Sequence, residues 1–547
     1  MSAADPLGEL RVAVHDAAAA VSGTAHGLPV PPTLEAPRRA GLGDYSTNAG
    51  MLLAPALGVP PREIAERVGS ELAKDLGSAL ERTEVAGPGF LNLFLSERWH
   101  RRAVATMLAA GERFGGGGVE VPERILVEFV SANPTGPLVA ASGRHAAYGD
   151  ALARILAFHG HAVQREYYFN DAGSQIRLLG ESVRARAIGA PVPGGGYEGD
   201  YVAVLADEIP GAADADPADV AARAVELLFA QIKATLDRYG VHFDSFFSER
   251  ILHEGSPSAV ERALDALIEG GHAYRTEGAL WLRTTTFGDD KDRVLKRSNG
   301  EPTYLAADVA YLLNKRDRGF ERQVNPMGAD HHGYAVRLKA AFSALGGDPD
   351  EIEVPLLQFV HLVEGVQKSA MSKRRGEFVT LDELLDEIGV DAARFFMLQR
   401  SHDRTVDLDL DLARRETSEN PVYYVQYAHA RIASMLQRAG SERVAAALAA
   451  ADEWESGELE DAERKLIRQL VAFPEEIAEA AQRRAPHRIA TYALELAQVF
   501  TAFYRDCRVV GATPVDVESF RIALSVVAKQ TIAAALGLLG VSAPEMM

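Results

Sequence analysis

The sequence predicts an α/β protein in three parts: a central domain built on a parallel sheet, preceded by a small α+β unit and followed by an all-helical domain. A short β-rich run at 125–130 (I-L-V-E-F-V) leads through a turn rich in Pro and Gly into an Ala-rich helical pattern from about Ala140 to Phe158. Strand, tight turn and helix in this order are typical of the start of α/β nucleotide-binding folds. From about Asn420 onward, apolar residues recur at spacings of three and four, which predicts helices alone.

The domain boundaries follow the breaks in these patterns. The run G-F-L-N-L-F-L at 89–95 is typical of a strand and assigns an α+β character to the first unit. Four glycines at 115–118 interrupt all periodicity and predict a linker, and the Gly and Pro stretch at 191–199 indicates an insertion. The predicted domains are 1–115, 119–419 with an insertion near 177–250, and 420–547.

Length and composition narrow the class of protein. At 547 residues the chain is too long for one core, and 47% hydrophobic with 24% charged residues predicts a protein folded throughout. No run of about 18 uncharged apolar residues and no signal-peptide layout occurs, so we expect a cytoplasmic protein without a membrane partner. The lone cysteine, Cys507, excludes an internal disulfide and is interpreted as a packed residue.

The charge distribution leaves the question of a nucleic-acid partner open. A net charge of −20 argues against one, because phosphate contacts need Lys and Arg. Basic residues nevertheless cluster at Lys368 with 373–375, and again at 483–488. Each cluster fits either a phosphate contact or a solvated helix face.

Several strings along the chain resemble bacterial arginyl-tRNA synthetases, in the order found in that family. The resemblance extends from near the N-terminus to the last residues and is highly specific. The strings are G-D-Y-S-T-N at 43–48, V-E-F-V-S-A-N-P-T-G-P at 127–137, Y-Y-F-N-D-A-G-S-Q-I at 167–176, T-Y-L-A-A-D at 303–308, G-A-D-H-H-G-Y at 328–334, N-P-V-Y-Y-V-Q-Y-A-H-A-R-I at 420–432 and G-V-S-A-P-E-M-M at 540–547.

This resemblance implies a Rossmann-like class I catalytic domain between an N-terminal domain that touches the tRNA elbow and a C-terminal helical domain that holds the anticodon. The implied activity joins L-arginine to ATP as arginyl-adenylate and passes the arginyl group to the 2′-hydroxyl of the terminal adenosine of tRNA(Arg). ATP is therefore an expected substrate and Mg²⁺ a candidate companion. A monomer is expected.

The resemblance also implies the site residues. A guanidinium offers five N–H donors in a rigid fork and needs carboxylates and carbonyls to match. Tyr304 and Asp308 are four residues apart, so on a helix they share a face; the alternative is that Asp308 is a surface carboxylate. The arginine pocket is expected from Glu128, Ser131, Asn133, Tyr304, Asp308 and His331, and the ATP site from Gly136, Pro137, Gly143, Asp330 and Met371.

Two further patterns concern metal and RNA. The adjacent pair His331 and His332 invites a metal interpretation, but neighbouring residues do not share a helix face and no partner motif accompanies them, so no metal site is expected. On the last string, four residues with helical spacing suit an unpaired anticodon loop, because aromatic rings stack on bases and arginine binds phosphate. Core packing is the alternative for these residues, which are Asn420, Tyr424, Tyr427 and Arg431.

The chain departs from the family at its two signature loops, which hold the ATP phosphates. Where the family has His-Val-Gly-His, this chain has Val-Ala-Ala-Ser at 139–142, and the first lysine of Lys-Met-Ser-Lys is replaced by Ala370. Loss of one such transition-state contact typically costs about a hundredfold to a thousandfold in rate. The catalytic groups that remain are Ser142, Ser372 and Lys373, with the N-terminus of the helix, Lys368 and His145 as candidate substitutes.

Two functions remain compatible with these residues. The first is an arginine–tRNA ligase that is impaired in adenylation. The second is a paralogue that binds arginine and tRNA without activating arginine, acting as a regulator or in arginyl transfer to another acceptor. The flanking strings are intact and the phosphate loops alone are altered, so ordered phosphate chemistry is what distinguishes the two.

Overall fold

The N-terminal unit packs four helices around a small antiparallel sheet. The computed structural model describes residues 5–23, 30–37, 39, 41–365, 367–369 (backbone only), 379–451, 454 and 458–547. The sheet order is β1-β2-β4-β3, and Leu91, Leu93 and Leu95 of β4 are buried against the helices. The elements of this unit are α1 (Pro6–Ser22), β1 (Leu34–Glu35), β2 (Tyr45–Thr47), α2 (Ala49–Leu57), α3 (Pro61–Leu76), β3 (Leu80–Ala86), β4 (Phe90–Leu95) and α4 (Glu97–Ala110).

The glycine run that follows is a close-packed connection. A Cβ atom added at Gly115 would lie 2.6 Å from the ring of Phe473, and one at Gly116 would lie 2.9 Å from the carbonyl oxygen of Phe158. The backbone therefore approaches its neighbours where no side chain fits, which is a use of glycine distinct from flexibility.

The central domain contains a five-stranded parallel sheet in the order β13-β11-β5-β6-β7. Its strands and those of the smaller sheets are β5 (Arg124–Glu128), β6 (Ala162–Phe169), β7 (Ser245–Ser248), β8 (Ala273–Thr276), β9 (Ala279–Leu282), β10 (Arg293–Lys296), β11 (Arg322–Val324), β12 (Met327–Gly328), β13 (Ile352–Glu353), β14 (Leu356–Leu357), β15 (Val360–Glu364), β16 (Gln367–Ser369) and β17 (Val406–Asp409). The helices are α5 (Ser142–His159), α6 (Ser174–Ala187), α7 (Asp200–Glu208), α8 (Pro217–Arg238), α9 (Arg250–His253), α10 (Ala259–Glu269), α11 (Tyr304–Asp317), α12 (His332–Ala344), α13 (Leu381–Ile388), α14 (Val390–Leu398) and α15 (Leu410–Ala413).

The order of the parallel strands creates a crevice beside β5. The chain passes from β5 to β6 on one side and later returns to β11 on the other, so the crossovers diverge between β5 and β11. Ligands of open α/β sheets bind at such a switch point, outside the carboxyl ends of the strands. The strand itself ends at Glu128, two residues earlier than the sequence predicts, because Val130 and Ser131 adopt positive φ angles of 65° and 45°.

Helices α6 to α8 lie between β6 and β7, in the region predicted as an insertion, and have a small core of their own. Leu179 and Val183 of α6 are buried with Val202 and Leu205 of α7 and Leu228 of α8. A second insertion pairs β8, β9 and β10 into a three-stranded antiparallel sheet beside α10. Both insertions leave the order of the parallel sheet unchanged.

The C-terminal domain is all-helical in the part of it that is described. Its helices are α16 (Pro421–Ala439), α17 (Ser441–Ala449), α18 (Asp461–Val471), α19 (Phe473–Gln482), α20 (His487–Asp506) and α21 (Val515–Leu538). Among the described helices, α21 alone is long and apolar enough to cross a membrane, and 67% of its apolar window is buried inside the fold. It packs against α16, α17 and α20, which is the position of a core helix. Cys507 is also buried, as predicted.

A buried ion pair of the central domain also contacts the end of the helical domain. Arg394 of α14 donates to Asp150 of α5 at 2.5 Å, and both side chains are fully buried. The same guanidinium donates to the carbonyl oxygens of Leu539 and Tyr239 at 2.8 and 3.0 Å. The end of the helical domain is therefore tied to the helix that begins at the first signature loop.

Candidate active site and RNA-binding surface

Glu128, the last residue of β5, lies at the mouth of the crevice and is held from two sides. Its Oε2 is 2.6 Å from the Nζ of Lys315, and its Oε1 accepts a hydrogen bond from the Oγ of Ser131 at 3.1 Å. The positive φ at Ser131 turns the chain back so that this short bond can form. The Ser131 Oγ also accepts from the backbone N–H of Tyr168 at 3.2 Å, which ties the turn to β6.

Asn133 continues the same network toward the start of α6. Its Nδ2 donates to the Oε1 of Gln175 at 2.9 Å, and its Oδ1 accepts from the N–H of Asn170 at 3.3 Å. Three of the residues predicted for the arginine pocket, Glu128, Ser131 and Asn133, are thus placed along one turn by side-chain hydrogen bonds.

Asp308 is a half-buried carboxylate of the pocket. Burial raises its pKa to about 8, with Glu128 and Glu249 adding to the shift and Lys315 opposing it. The hydroxyl of Tyr334 on α12 donates to its Oδ2. Tyr304, one turn earlier on α11, is 65% exposed, so the two residues share a helix face but differ in burial.

Four side chains of this pocket were not predicted from the sequence. Glu249 follows β7 directly and accepts from the hydroxyl of Tyr168 at 2.8 Å. Tyr334 and Lys315 contact Asp308 and Glu128 as described above. A signal was available for Glu249, because it follows a strand at the carboxyl edge of the sheet, and for Lys315, because it lies seven residues after Asp308 on the same helix face.

The first signature loop is held by its backbone. Val139 forms an isolated antiparallel bridge with Thr380, the N–H of Ala140 donates to Val379 at 2.9 Å, and the N–H of Leu381 donates to Leu138 at 2.7 Å. Ala140 is buried, whereas the side chains at 139 and 142 are half-buried. The loop therefore keeps a defined shape without polar side chains.

The first turn of α5 also pairs its own N–H groups. Ser142 donates to Val139 at 2.8 Å, Gly143 to Ala140 at 3.0 Å and Arg144 to Ala141 at 3.1 Å. These donors would otherwise be available to a phosphate. The expectation that the helix N-terminus substitutes for the lost histidines is therefore not supported by the backbone geometry.

His145 is also committed elsewhere. Burial, followed by the charge of Arg144, lowers the pKa of His145 to about 4, and its ring hydrogen-bonds to the backbone of Pro326. Asp330 and His331 act on it electrostatically, which places the start of α5 opposite the turn at 329–331. A neutral ring bound to a carbonyl is a poor replacement for a phosphate donor.

Arg144 positions the loop without reaching the crevice. It is 2% exposed and donates only to backbone carbonyls in this structure's described contacts: Gln358 at 2.5 Å, Phe359 at 3.5 Å, Ser401 at 3.0 Å and Arg404 at 2.7 Å. These carbonyls precede β15 and β17, so one side chain joins α5 to both strands. Burial lowers the pKa of Arg144 to about 10.

The remaining predicted ATP residues differ in what surrounds them. Gly136 lies against the ring of Tyr201, and Gly143 is buried against Leu381, where an added Cβ would approach to 2.9 Å. Pro137 is half-buried, and Asp330 and His331 are exposed on the turn at 329–331. Ala370, Met371, Ser372 and Lys373, with Arg374 and Arg375, lie outside the described residues, as does the side chain of Lys368. Within the described part of the chain, no group of three or more His, Cys, Asp or Glu is placed to hold a metal ion.

The four residues predicted to bind tRNA separate into two pairs. Asn420 is buried, and its side chain caps α16 by accepting from Val422 and donating to Ala413 and Arg415. The hydroxyl of Tyr424 reaches Thr501 on α20 at 3.3 Å, inside the helix interface. For these two residues the alternative of internal packing describes the structure, because a capping side chain turns back on the preceding backbone.

The other pair belongs to a partly exposed aromatic group. Tyr427 is 41% exposed, and its ring stacks on Tyr423 with centroids 6.1 Å apart and planes inclined by 8°. The Arg431 guanidinium lies 4.6 Å from the Tyr427 ring and 5.4 Å from the Tyr504 ring. We call these four residues, Tyr423, Tyr427, Arg431 and Tyr504, the aromatic surface.

The basic cluster at 483–488 is neutralised by carboxylates. Arg484 makes a bidentate contact with Glu353 at 2.6 and 2.8 Å, and Arg488 lies 3.0 Å from Glu476. Arg483 pairs with Glu479 one helical turn earlier. The cluster therefore contributes to the contact between α19, α20 and the central sheet.

Three family models match this chain. The description "Arginyl tRNA synthetase N terminal domain" matches residues 8–95, "tRNA synthetases class I (R), catalytic domain" matches 215–434, and "DALR anticodon binding domain" matches 425–547. The catalytic match begins after the first signature loop, so it does not depend on residues 139–142.

Relatives and a solved structure agree with these matches. The chain is 45% identical to the arginine–tRNA ligase of Frankia alni over 532 residues, which cover 95% of each chain. It is 43% identical to that of Carboxydothermus hydrogenoformans over 529 residues and 94% of each. The Thermus thermophilus arginyl-tRNA synthetase shares the fold with a TM-score of 0.75 at 24% identity, covering 98% of this chain and all of the other. The chain belongs to the arginyl-tRNA synthetase family of class I, with the predicted Rossmann-like catalytic domain between an N-terminal and a helical anticodon-binding domain.

Proposed function

We propose that this protein is an arginine–tRNA ligase that binds L-arginine, ATP and tRNA(Arg) but forms arginyl-adenylate slowly. Arginine occupies the crevice between β5 and β11, ATP lies over the first turn of α5 with Mg²⁺ accompanying its phosphates, and tRNA contacts the helical domain. The protein acts as a cytoplasmic monomer. Its domains are those predicted from the sequence, 1–115, 119–419 and 420–547.

One observation carries the proposal of slow adenylation: the first turn of α5 offers few free donors to a phosphate. Valine and alanine side chains donate no hydrogen bond, and the N–H groups of Ser142, Gly143 and Arg144 are already paired within the turn. The hydroxyl of Ser142 remains. Donors aimed at charge that develops in the transition state account for large rate factors, so their absence slows the step in which pyrophosphate leaves.

The arginine pocket supports the binding half of the proposal. Glu128, Asp308 and Glu249 bring three carboxylates to one crevice, and the positive charge of a bound guanidinium would offset the burial and the like charges that raise the pKa of Asp308. A charge-assisted bidentate contact between guanidinium and carboxylate is both strong and directional. The same observation favours a second candidate, a paralogue that binds arginine and tRNA but does not activate arginine.

The test is the exchange of labelled pyrophosphate into ATP by the full-length protein, with L-arginine and tRNA(Arg) present, alongside calorimetry of arginine binding. We expect arginine to bind and exchange to be at least about a hundredfold slower than in a family member that carries both histidines. Exchange at the rate of that relative would overturn the proposal. Binding without any exchange would select the non-activating paralogue.

A further inference from the structure

Lys315 is a fully buried cation among the carboxylates of the crevice. It lies in the last turn of α11, two turns after Asp308, and its side chain is 1% exposed. A buried lysine is unusual unless it is paired, because removing an ammonium from water is unfavourable. The groups that contact the ammonium therefore indicate the role of Lys315.

Three contacts fix the ammonium group. It lies 2.6 Å from the Oε2 of Glu128, 3.3 Å from the Oδ1 of Asn325 and 4.1 Å from the centroid of the Tyr311 ring. Glu128 ends β5 and Asn325 follows β11, so Lys315 connects the two strands that border the crevice. Its position is set by the geometry of the switch point itself.

The contact with Glu128 also determines how that carboxylate is presented. Lys315 occupies one oxygen and Ser131 the other, so neither oxygen can rotate away without losing a partner. A carboxylate has about four lone-pair sites, and two of them remain for a ligand. The result is a fixed acceptor at the crevice.

Helix α11 has a separate anchor to the sheet, which makes a purely structural role for Lys315 less necessary. Arg318 binds the buried Glu166 of β6 through two hydrogen bonds, at 2.6 and 2.7 Å. Tyr311 donates to the same carboxylate at 2.6 Å. Arg318 lies three residues after Lys315, and its pair with Glu166 fixes the end of α11 to β6. Among their described hydrogen bonds, Arg318 and Glu166 have none with Glu128 or Asp308.

We propose that Lys315 is a positioning residue of the arginine pocket, which holds Glu128 in the orientation that a guanidinium requires and supplies an internal cation beside the carboxylates. The inference rests on the proposed binding of arginine in this crevice. It assigns Lys315 no contact with the substrate, because its ammonium group is already surrounded.

The charges around Asp308 make this role measurable. Burial, Glu128 and Glu249 together raise the pKa of Asp308 to about 8, and Lys315 opposes them. Removing Lys315 therefore shifts the pKa of Asp308 upward. The titratable and charged groups that face Asp308 are Glu128 on β5, Tyr168 on β6, Glu249 after β7, Lys315 on α11 and Tyr334 on α12.

Two consequences for arginine follow. A cationic guanidinium binds the ionised form of Asp308, so the affinity rises with pH and levels off near the pKa, at about pH 8 in the native protein. A fork of five donors also depends on the direction of its acceptors, whereas the ammonium of lysine is a compact charge. Loss of the fixed Glu128 should therefore weaken the preference for arginine over lysine.

The experiment titrates L-arginine and L-lysine into the full-length protein by calorimetry between pH 6 and pH 10. With Lys315→Met, we expect the levelling-off to move upward by about one pH unit or more. We also expect the preference for arginine over lysine to fall at least about tenfold, as one directed contact is lost. Lys315→Arg retains the cation and should level off near the native pH.

Arg318→Met is the matched control, because it breaks an ion pair of the same helix outside the pocket. It should lower the thermal unfolding midpoint and leave both the pH profile and the arginine preference unchanged. If Lys315→Met does not fold, Lys315→Met with Glu128→Gln removes both charges; its preference for arginine should be lost while the levelling-off returns toward pH 8. A native profile and native preference in the Lys315 variant that folds would overturn the inference. Failure of the native protein to bind arginine would instead overturn the proposed function.

Discussion

The crossover from β5 to α5 contains two halves that are stabilised in different ways. In the first half, from Glu128 to Asn133, side chains hold the backbone: Glu128 binds Ser131 and Lys315, and Asn133 binds Gln175. In the second half, at 138–142, backbone hydrogen bonds to residues 379–381 fix the conformation.

This difference predicts that the two halves tolerate substitutions differently. A change at Glu128 leaves the buried Lys315 without its partner, and a change at Ser131 removes the hydrogen bond that holds Glu128, so both changes destabilise the fold. A change at 139 or 142 alters a half-buried side chain whose backbone bonds remain. We call residues 128–133 the recognition half and residues 138–142 the phosphate half. The phosphate half can therefore change its side chains without unfolding, whereas the recognition half cannot.

The largest expected effect comes from restoring the donors of the second half. Val139→His, Ala141→Gly and Ser142→His together should raise pyrophosphate exchange by at least about a hundredfold, with Ala370→Lys adding to the gain, because each recovered donor stabilises charge in the transition state. Arginine affinity should barely move, since these groups act on the phosphates.

The control for this variant adds bulk without a donor. Val139→Leu with Ser142→Leu should not raise exchange. If the histidine variant folds but remains as slow as the native protein, the side chains at 139–142 are not the cause of slow adenylation. The different stabilisation of the two halves would then have no effect on the reaction rate.

The second prediction concerns the scaffold that the phosphate half retains. Arg144→Met leaves the carbonyls of Gln358, Ser401 and Arg404 without their buried donor and should lower the free energy of unfolding by about 3 kcal/mol or more, at roughly 1–3 kcal/mol for each unsatisfied group. Urea unfolding measures it. Arg177→Met, which removes an exposed guanidinium from α6, should change stability by less than about 0.5 kcal/mol.

The third prediction tests the recognition half through Asp308→Asn. Arginine affinity above pH 8 should fall by about tenfold to a hundredfold, because a charge-assisted contact of roughly 1.5–3 kcal/mol is lost, and the rise of affinity between pH 6 and pH 8 should disappear. The raised pKa of Asp308 means that its stabilising contribution is complete below the ordinary value of 3.8 and is lost as the pH rises through about 8. The variant should therefore be more stable than the native protein at pH 9, and equal affinity for arginine would contradict the pocket assignment.

The smallest expected effect concerns the helical domain, where the sequence pattern and the exposed surface differ. Tyr427→Ala should weaken tRNA(Arg) binding by about tenfold, since one stacked base contributes roughly 1–3 kcal/mol. Tyr424→Phe removes a hydroxyl that reaches Thr501 and should change affinity by less than about twofold. Filter binding at fixed salt compares the two variants. A larger loss of affinity in Tyr424→Phe than in Tyr427→Ala would show that Tyr424, and not Tyr427, contacts the tRNA.

The sequence by itself determined the family, the three-part architecture and the α/β class of this protein, because strings of specific residues in a fixed order leave little freedom. It also placed β5, α5 and the all-helical domain close to their observed bounds, since periodicity reports which face of an element is buried. The assignment of arginine ligands on Glu128, Ser131, Asn133 and Asp308 stays a prediction, and the structure brings these four to one crevice.

Only the tertiary structure decided how polar groups are paired. Helical spacing put Asn420 and Tyr424 beside Tyr427 and Arg431, but Asn420 is buried as a helix cap and Tyr424 is half-buried against α20. The sequence predicts that the N-terminus of α5 donates hydrogen bonds to phosphate, but in the structure its N–H groups at 142–144 are paired within the turn. Lys315 contacts Glu128 across 187 residues of sequence, and Tyr168 contacts Glu249 across 81. Hydrogen bonds and ion pairs depend on distances between elements, and a one-dimensional pattern contains no such distances.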